Sequence, residues 1–504
     1  MSTTVSYKGN TIATLDNETK TLTTSGTWLE DDIEITDESS GGGEVLITDT
    51  IDSNGGTIRT ITAANTVTLD GTRHIAPSNV QQTITPSQGY DGFSSVVVEP
   101  ENRPDLCSPK DVDFIDYDGR LIYSYTVNEF LALTSLPANP TNEGLVAQGW
   151  NWTLTDAQNF VGKYGALVVG QNYTTDDGKT RIYVTIPQPL IDANKYLRLH
   201  IYLLASSSIT VDWGDNTVET ISNTGTSGAG KTPTHTYTQS GNYVITISVT
   251  GTIHLGYYGS NNSIIDNDWK QRVTVNKIEI GNNVTKFARQ PFAELYNLVS
   301  ISIPTTLTEV DTSTDLYMFS RCYHLKGVVF PSGFVGREQK WFNNNELSSL
   351  KYISVPKSMT KIQMGTYMRN LRKFTMYHLD VPATATNSYI ILSDVASLTH
   401  FVVMGDYQRM GTDMCRASYI KKLFVPETVN YIGATAFVYN SFLEEIHLLP
   451  ETPPTLANTN AFNSISSNAV FYVPYSEDHS ILEAYQTATN WSTYASKMQE
   501  EPQS

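Results

Sequence analysis

The sequence predicts a multidomain, mainly β protein: small N-terminal β modules, a small α+β module, a β-sandwich and a C-terminal solenoid. Three observations lead there. The first hundred residues are rich in Thr, Ser, Val and Ile and broken by turn dipeptides, the pattern of short strands. Further on, Tyr243, Ile245, Ile247 and Val249 alternate with polar residues and present one apolar face, as a strand on a sandwich core does. After residue 275, a hexamer with apolar first, fourth and sixth residues recurs at spacings of 23, 27, 25, 21, 27, 22 and 23, a period at which stacked repeats share one core.

A chain of 504 residues exceeds what one hydrophobic core serves and predicts about three to five structural units. It is 39% hydrophobic and 17% charged with 29 Tyr and 17 Phe, which argues against a disordered chain. With 33 basic and 51 acidic side chains the formal charge is −18, which repels phosphate backbones, so nucleic acid is not an expected partner. No run of about 18 apolar residues is present, so membrane insertion is not expected. The opening residues lack a basic stretch followed by an apolar one, so no export signal is expected. Cys107, Cys322 and Cys415 are far apart and read as free buried thiols.

In chain order, 1–38 reads as a small β module, 39–44 as a Gly-rich linker and 45–105 as a repeat of the first module. The two copies match at Thr21 to Trp28 followed by Ile33, Glu34 and Ile35, and at Thr83 to Tyr90 followed by Val96, Val97 and Val98. Gly41, Gly42 and Gly43 between them predict independent movement of the copies. Residues 106–192 read as an α+β module with hairpin turns at Asp118-Gly119 and Asp177-Gly178, and with a helix capped by Thr155 and Gln158.

Residues 193–258 carry Trp213, Gly214 and Asp215, then His235 and Tyr237, then Gly241, Tyr243 and Val244. This order and spacing resembles the polycystic kidney disease (PKD) domain, which implies an immunoglobulin-like β-sandwich. Asn216 replaces the last Gly of the first motif, and Asn also tolerates a left-handed turn position. Trp213 and Tyr237 are then core aromatics and His235 scaffold. Asp212 and Asp215 could hold calcium, yet two carboxylates are too few ligands, and no cofactor is expected.

Residues 270–498 contain the hexamers, which begin at Val275, Leu298, Leu325, Leu350, Leu371, Leu398, Ile420 and Leu443. Pro304, Pro331, Pro356 and Pro426 follow directly and end strands by removing an N–H donor. The stretch from Thr428 to Phe437, and Arg321 to Leu325, resemble BspA-like leucine-rich repeats, with Tyr485 and Trp491 in a terminal cap. The resemblance implies a stiff solenoid whose hexamers point residues one, four and six inward, leaving Lys277, Lys326, Lys351, Arg372 and Lys421 on the surface. Trp341, Phe342, Tyr352 and Tyr439 are the binding candidates, for stacking on a ligand if exposed.

No phosphate loop, zinc motif or nucleophile elbow is present, and the pairs Asp31/Asp32 and Asp176/Asp177 sit in predicted turns, so no catalytic residues and no enzyme are expected. Residues Lys110 to Gly119 and Gly149 to Leu154 resemble tail-associated proteins of phages in gut Firmicutes. That resemblance implies a virion structural protein, a tail fibre or receptor-binding protein, made in the host cytoplasm and acting outside the cell. Its partners would be other virion proteins, a host-surface glycan or protein, and further copies of the chain in a homo-oligomer such as a trimer. The alternatives are a bacterial cell-surface BspA-like adhesin and a polysaccharide depolymerase.

Overall fold

A computed structural model describes residues 110–502, apart from 194, 257–262, 267, 289, 311–317, 343–348, 365–367, 369, 381–389, 394 and 396; of residues 1–109 it describes the backbone of eight strands. The predicted linker 39–44, Asp31/Asp32, Cys107 and the aromatic side chains of the N-terminal copies lie outside the described residues. The chain divides into two units, one built essentially of residues 1–110 and the other of 111–504.

In the first unit, six strands form one sheet in the order Ile33–Thr36, Ser95–Val98, Ser2–Tyr7, Asn10–Asp16, Thr21–Thr24, Gln82–Ile84. The strands of the matched segments lie antiparallel to their counterparts: Leu22 pairs with Ile84, and Glu34 with Val97. The expectation of independently moving copies is thereby corrected. Backbone hydrogen bonds join the matched strands of the two copies in one sheet, while Val45–Ile51 and Thr57–Ala63 of the second copy pair in a separate two-stranded sheet.

In the second unit a six-stranded sheet runs Val218–Asn223, Ser207–Asp212, Gly241–Thr250, Thr180–Ile186, Val275–Glu279, Ser300–Ser302. Its organising strand is Thr180–Ile186. The alternation of Ile182, Val184 and Ile186 buries one face, and the backbone pairs on both edges, with Gly241–Thr250 and with Val275–Glu279. A second sheet runs Ala229–Lys231, Ile201–Leu203, Ile253–Leu255, Val284–Phe287, Glu309–Val310. Both sheets therefore pass from the sandwich stretch directly into the first solenoid turns, and one hydrophobic core extends from Ile182 to Met498.

From Val275 on, the chain is a solenoid. Its short parallel strands stack in register, as in Phe374 with Phe401 and Leu423 with Ile446, and residues one, four and six of every hexamer are buried. The far end is closed by helix Ser480–Thr487 and by Trp491, whose Nε1–H donates to Pro454 O at 2.7 Å, while Tyr485 Oη–H donates to Pro450 O at 2.8 Å. Cys322 and Cys415 are free and buried, and burial raises both thiols, Cys415 to about 12.

The outward face of the early solenoid strands is covered by the chain's own preceding segment. Strand Leu167–Thr175, in a sheet with Val112–Ile115 and Leu145–Trp150, lies across it. Val168 N–H donates to Thr375 Oγ1 at 3.1 Å, Ser354 Oγ–H donates to Val168 O at 2.9 Å, and Asn151 Nδ2–H donates to Phe330 O at 2.9 Å. A Cβ on Gly170 would stand 2.5 Å from Val329, so only glycine admits this approach. The helix of this segment, Leu154–Tyr164, is capped by Thr153, whose Oγ1 accepts from Asp156 N–H; this corrects the expected cap at Thr155. A full capping box occurs instead at Thr126 and Glu129.

This covering also corrects the expected lysine surface. Lys351 is buried, Lys277 is half-buried against Glu279, and Lys421 alone of the five is fully exposed. Within the seam, Lys373 and Asp113 form a buried pair at 2.5 Å, and His400 Nε2 lies 3.4 Å from Asp111. Burial pushes the His400 imidazole below its ordinary value, outweighing the opposite effect of Asp111; Lys373 also lowers it, and Asp113 raises it. Burial raises Asp111, but hydrogen bonds from His400 and Val127 N–H leave it below the usual carboxylate range.

Three outcomes follow from the seam. Gly170→Ala should destabilise the protein by about 1–3 kcal/mol through overpacking, read as a lower denaturation midpoint. Lys373→Met should cost about 3–5 kcal/mol by removing the cation beside Asp113, and Lys373→Met/Asp113→Leu should recover much of it in the same assay. Because the folded state favours neutral His400, its contribution is complete above the unfolded value of about 6.5 and is lost as pH falls toward the lower folded value. The melting temperature should therefore drop from pH 7 to pH 5, and less steeply in His400→Gln.

Candidate functional site

The early strand faces are covered, but the carboxyl ends of the solenoid strands are open. A groove follows the carboxyl ends of Lys373–Met376, His400–Val403, Lys422–Val425 and Glu445–Leu448. Its first compartment, about 390 Å³, is walled on one side by Asn159, Lys163 and Tyr164 of helix Leu154–Tyr164 and on the other by Tyr377, Asp406 and Glu427. The second, about 640 Å³, continues past Asn430 and Glu451 to Pro474 and Glu501, sharing Glu427, Thr428 and Leu449 with the first.

The walls are held from behind. Tyr377, 38% exposed, packs against Trp152 at 6.2 Å and Phe160 at 5.9 Å, and the Lys357 ammonium sits 4.9 Å from its ring centroid. Lys357 also pairs with Asp156 at 2.5 Å, a bond that lowers the Asp156 carboxyl and raises the Lys357 ammonium. Tyr164 meets Phe424 edge-on at 5.3 Å. Gly405 makes a tight turn, since a Cβ there would lie 2.3 Å from Leu379 N, and Thr428 Oγ1–H bridges to Gly405 O and Tyr407 O. Asp406 reaches out from that turn with His378 at 3.6 Å. The groove thus offers tyrosine side chains, carboxylates, an amide and hydroxyls on fixed turns, suited to apolar contact and hydrogen bonding with a polar ligand.

The sequence candidates are dispersed. Phe342 and Tyr352 are each 1% exposed and belong to the packed interior, which corrects their assignment as stacking residues. Trp341 lies on strand Gly336–Phe342, with its side chain outside the described residues. Tyr439 is 53% exposed, has φ 65° and carries the Arg416 guanidinium 5.6 Å from its ring centroid, but it precedes its strand and sits at the opposite edge from the groove. Near it Tyr419 and Phe442 stack at 4.8 Å. Tyr164, Tyr377 and Asp406 were missed. One signal was available: Tyr377 stands directly after hexamer position six, where four other copies carry proline.

The 193–258 signature is brought together. Trp213 stacks on His235 at 5.1 Å, His235 Nε2 lies 2.7 Å from Asp215 Oδ2, and Tyr237 Oη–H donates to Trp213 O at 2.8 Å. Gly214 at φ 83° passes so close to Val244 that a Cβ would lie 2.8 Å from its carbonyl oxygen, and Asn216 takes a left-handed φ of 71°. Asp212 accepts Gly214 N–H and Asp215 accepts Thr217 N–H, so both carboxylates cap turns. Among the described residues no group of three His, Cys, Asp or Glu side chains is arranged to hold a metal ion, and no helix is long and apolar enough to cross a membrane.

Residues 258–373, 345–444 and 389–476 match the BspA type leucine-rich repeat region in six copies. Among solved structures, the chain is similar to a leucine-rich repeat protein from Bacteroides ovatus, at 18% identity with a TM-score of 0.26. That similarity covers 38% of this chain and 48% of the other, so this chain spans about half the length of that protein. No curated protein matches the sequence. The C-terminal half of the chain is therefore a mainly β solenoid of BspA-type leucine-rich repeats.

Proposed function

We propose that this chain is a non-catalytic adhesin whose solenoid grips a host-surface glycan or protein, without a cofactor. The observation that carries the reading is the continuous core from Ile182 to Met498, which makes the BspA-type repeats a stiff platform with fixed groove walls. A mobile array would lose affinity to ordering, whereas a preformed one does not. In this proposal residues 193–258 are a PKD-like sandwich that closes the solenoid's first turn, and the N-terminal sheet attaches the molecule to its carrier. Several copies on one carrier, as a trimer or a larger set, multiply weak single contacts.

The carrier we propose is a virion. The segments Lys110 to Gly119 and Gly149 to Leu154 support this through their resemblance to phage tail-associated proteins. The virion's other structural proteins are then the attachment partners, and a bacterial surface is the alternative carrier. Labelled full-length protein should bind whole host cells saturably and release no oligosaccharide. Release that a single Asp or Glu substitution abolishes would instead make it a depolymerase. Antibody to the chain should decorate purified virions; labelling confined to bacterial surfaces would assign the adhesin to the cell.

A further inference from the structure

We infer that the strand-end groove binds an extended neutral glycan, with about one sugar unit per solenoid turn; this rests on the adhesin reading and names its ligand. The first support is composition. Tyr164 and Tyr377 give apolar walls for the C–H faces of sugar rings, while Asn159, Thr428, Asp406 and Glu427 give acceptors and donors for hydroxyls. The second is preorganisation: Tyr377 is braced by Trp152 and Phe160, and Thr428 by two backbone carbonyls, so little side-chain entropy is lost on binding.

The third support is charge. Asp406, Glu427, Glu451 and Glu501 line the two compartments against Lys163, and the chain carries −18 overall, so sulfated, phosphorylated or uronic chains are repelled. The fourth is period. Lys373–Met376 pairs with His400–Val403 and Lys422–Val425 with Glu445–Leu448, and paired strands lie about 4.8 Å apart, so within each pair the groove steps at a spacing close to that of successive rings in an extended glycan. A peptide strand advances about 3.3 Å per residue and cannot keep that register.

The test uses full-length protein on a printed array of neutral, amino and acidic glycans, followed by calorimetry with the best soluble hexasaccharide. The expected hits are neutral linear chains, with binding little changed by added salt. Tyr377→Ala should weaken binding about tenfold, or about 1.4 kcal/mol. Asp406→Asn, at a side chain 76% exposed and so harmless to the fold, should also weaken it. Tyr439→Ala at the opposite edge should change nothing. The inference is overturned if acidic glycans bind as well as neutral ones, if both groove variants bind like the parent, or if no glycan binds. Should cells still be bound, and that binding be protease-sensitive, the adhesin reading stands with a protein ligand. Should no cell bind either, that reading fails as well.

Discussion

A repeat turn of about 23 residues is too short to bury its own apolar residues, so each is stable only where a neighbour covers it. This constraint falls hardest on the ends of the stack. At the carboxyl end Trp491 and Tyr485, each hydrogen-bonded to a proline carbonyl, close the last turn. At the other end no separate cap stands among the described residues. Strand Thr180–Ile186 pairs with the sandwich on one edge and with the first hexamer strand on the other, so the sandwich serves as the first turn's neighbour.

The same constraint explains why the outward faces differ along the stack. Position five of the early hexamers carries Ser302, Val329, Ser354 and Thr375, small enough for the strand Leu167–Thr175 to lie on them. Later copies carry Phe424 and His447 at that position, and these stack on one another at 4.8 Å and on Tyr472. Where a second segment covers the strand face, hydroxyl and amide bonds replace water, as they must for buried polar groups. The groove lies along the ends of the strands, beyond the reach of the covering strand.

Much of this was legible in the residues. The hexamers register each inward position, and the Trp213, His235 and Tyr237 cluster forms as its spacing implied. Asn216 at a left-handed angle and glycine at the Asp118-Gly119 hairpin follow from backbone sterics alone, whereas Gly178, also left-handed, joins strands of two different sheets and makes no hairpin, which corrects that expectation. The sharing of Thr180–Ile186 was not legible, because edge pairing between segments some sixty and ninety residues apart leaves no local pattern. Nor was the burial of Lys351 and Lys373, since a lysine beneath a covering strand looks like any surface lysine until its partner segment is known. The groove escaped for a related reason: its walls come from a helix at 154–164 and turns beyond 377.

Native-state hydrogen exchange, followed peptide by peptide, addresses the central claim that sandwich, covering segment and solenoid form one body. The account predicts that Leu167–Thr175, Thr180–Ile186 and the solenoid strands exchange together, at the slow rate of global unfolding. Rapid exchange in Leu167–Thr175 while Lys373–Met376 and His400–Val403 stay protected would show the cover lifting independently, and would contradict it.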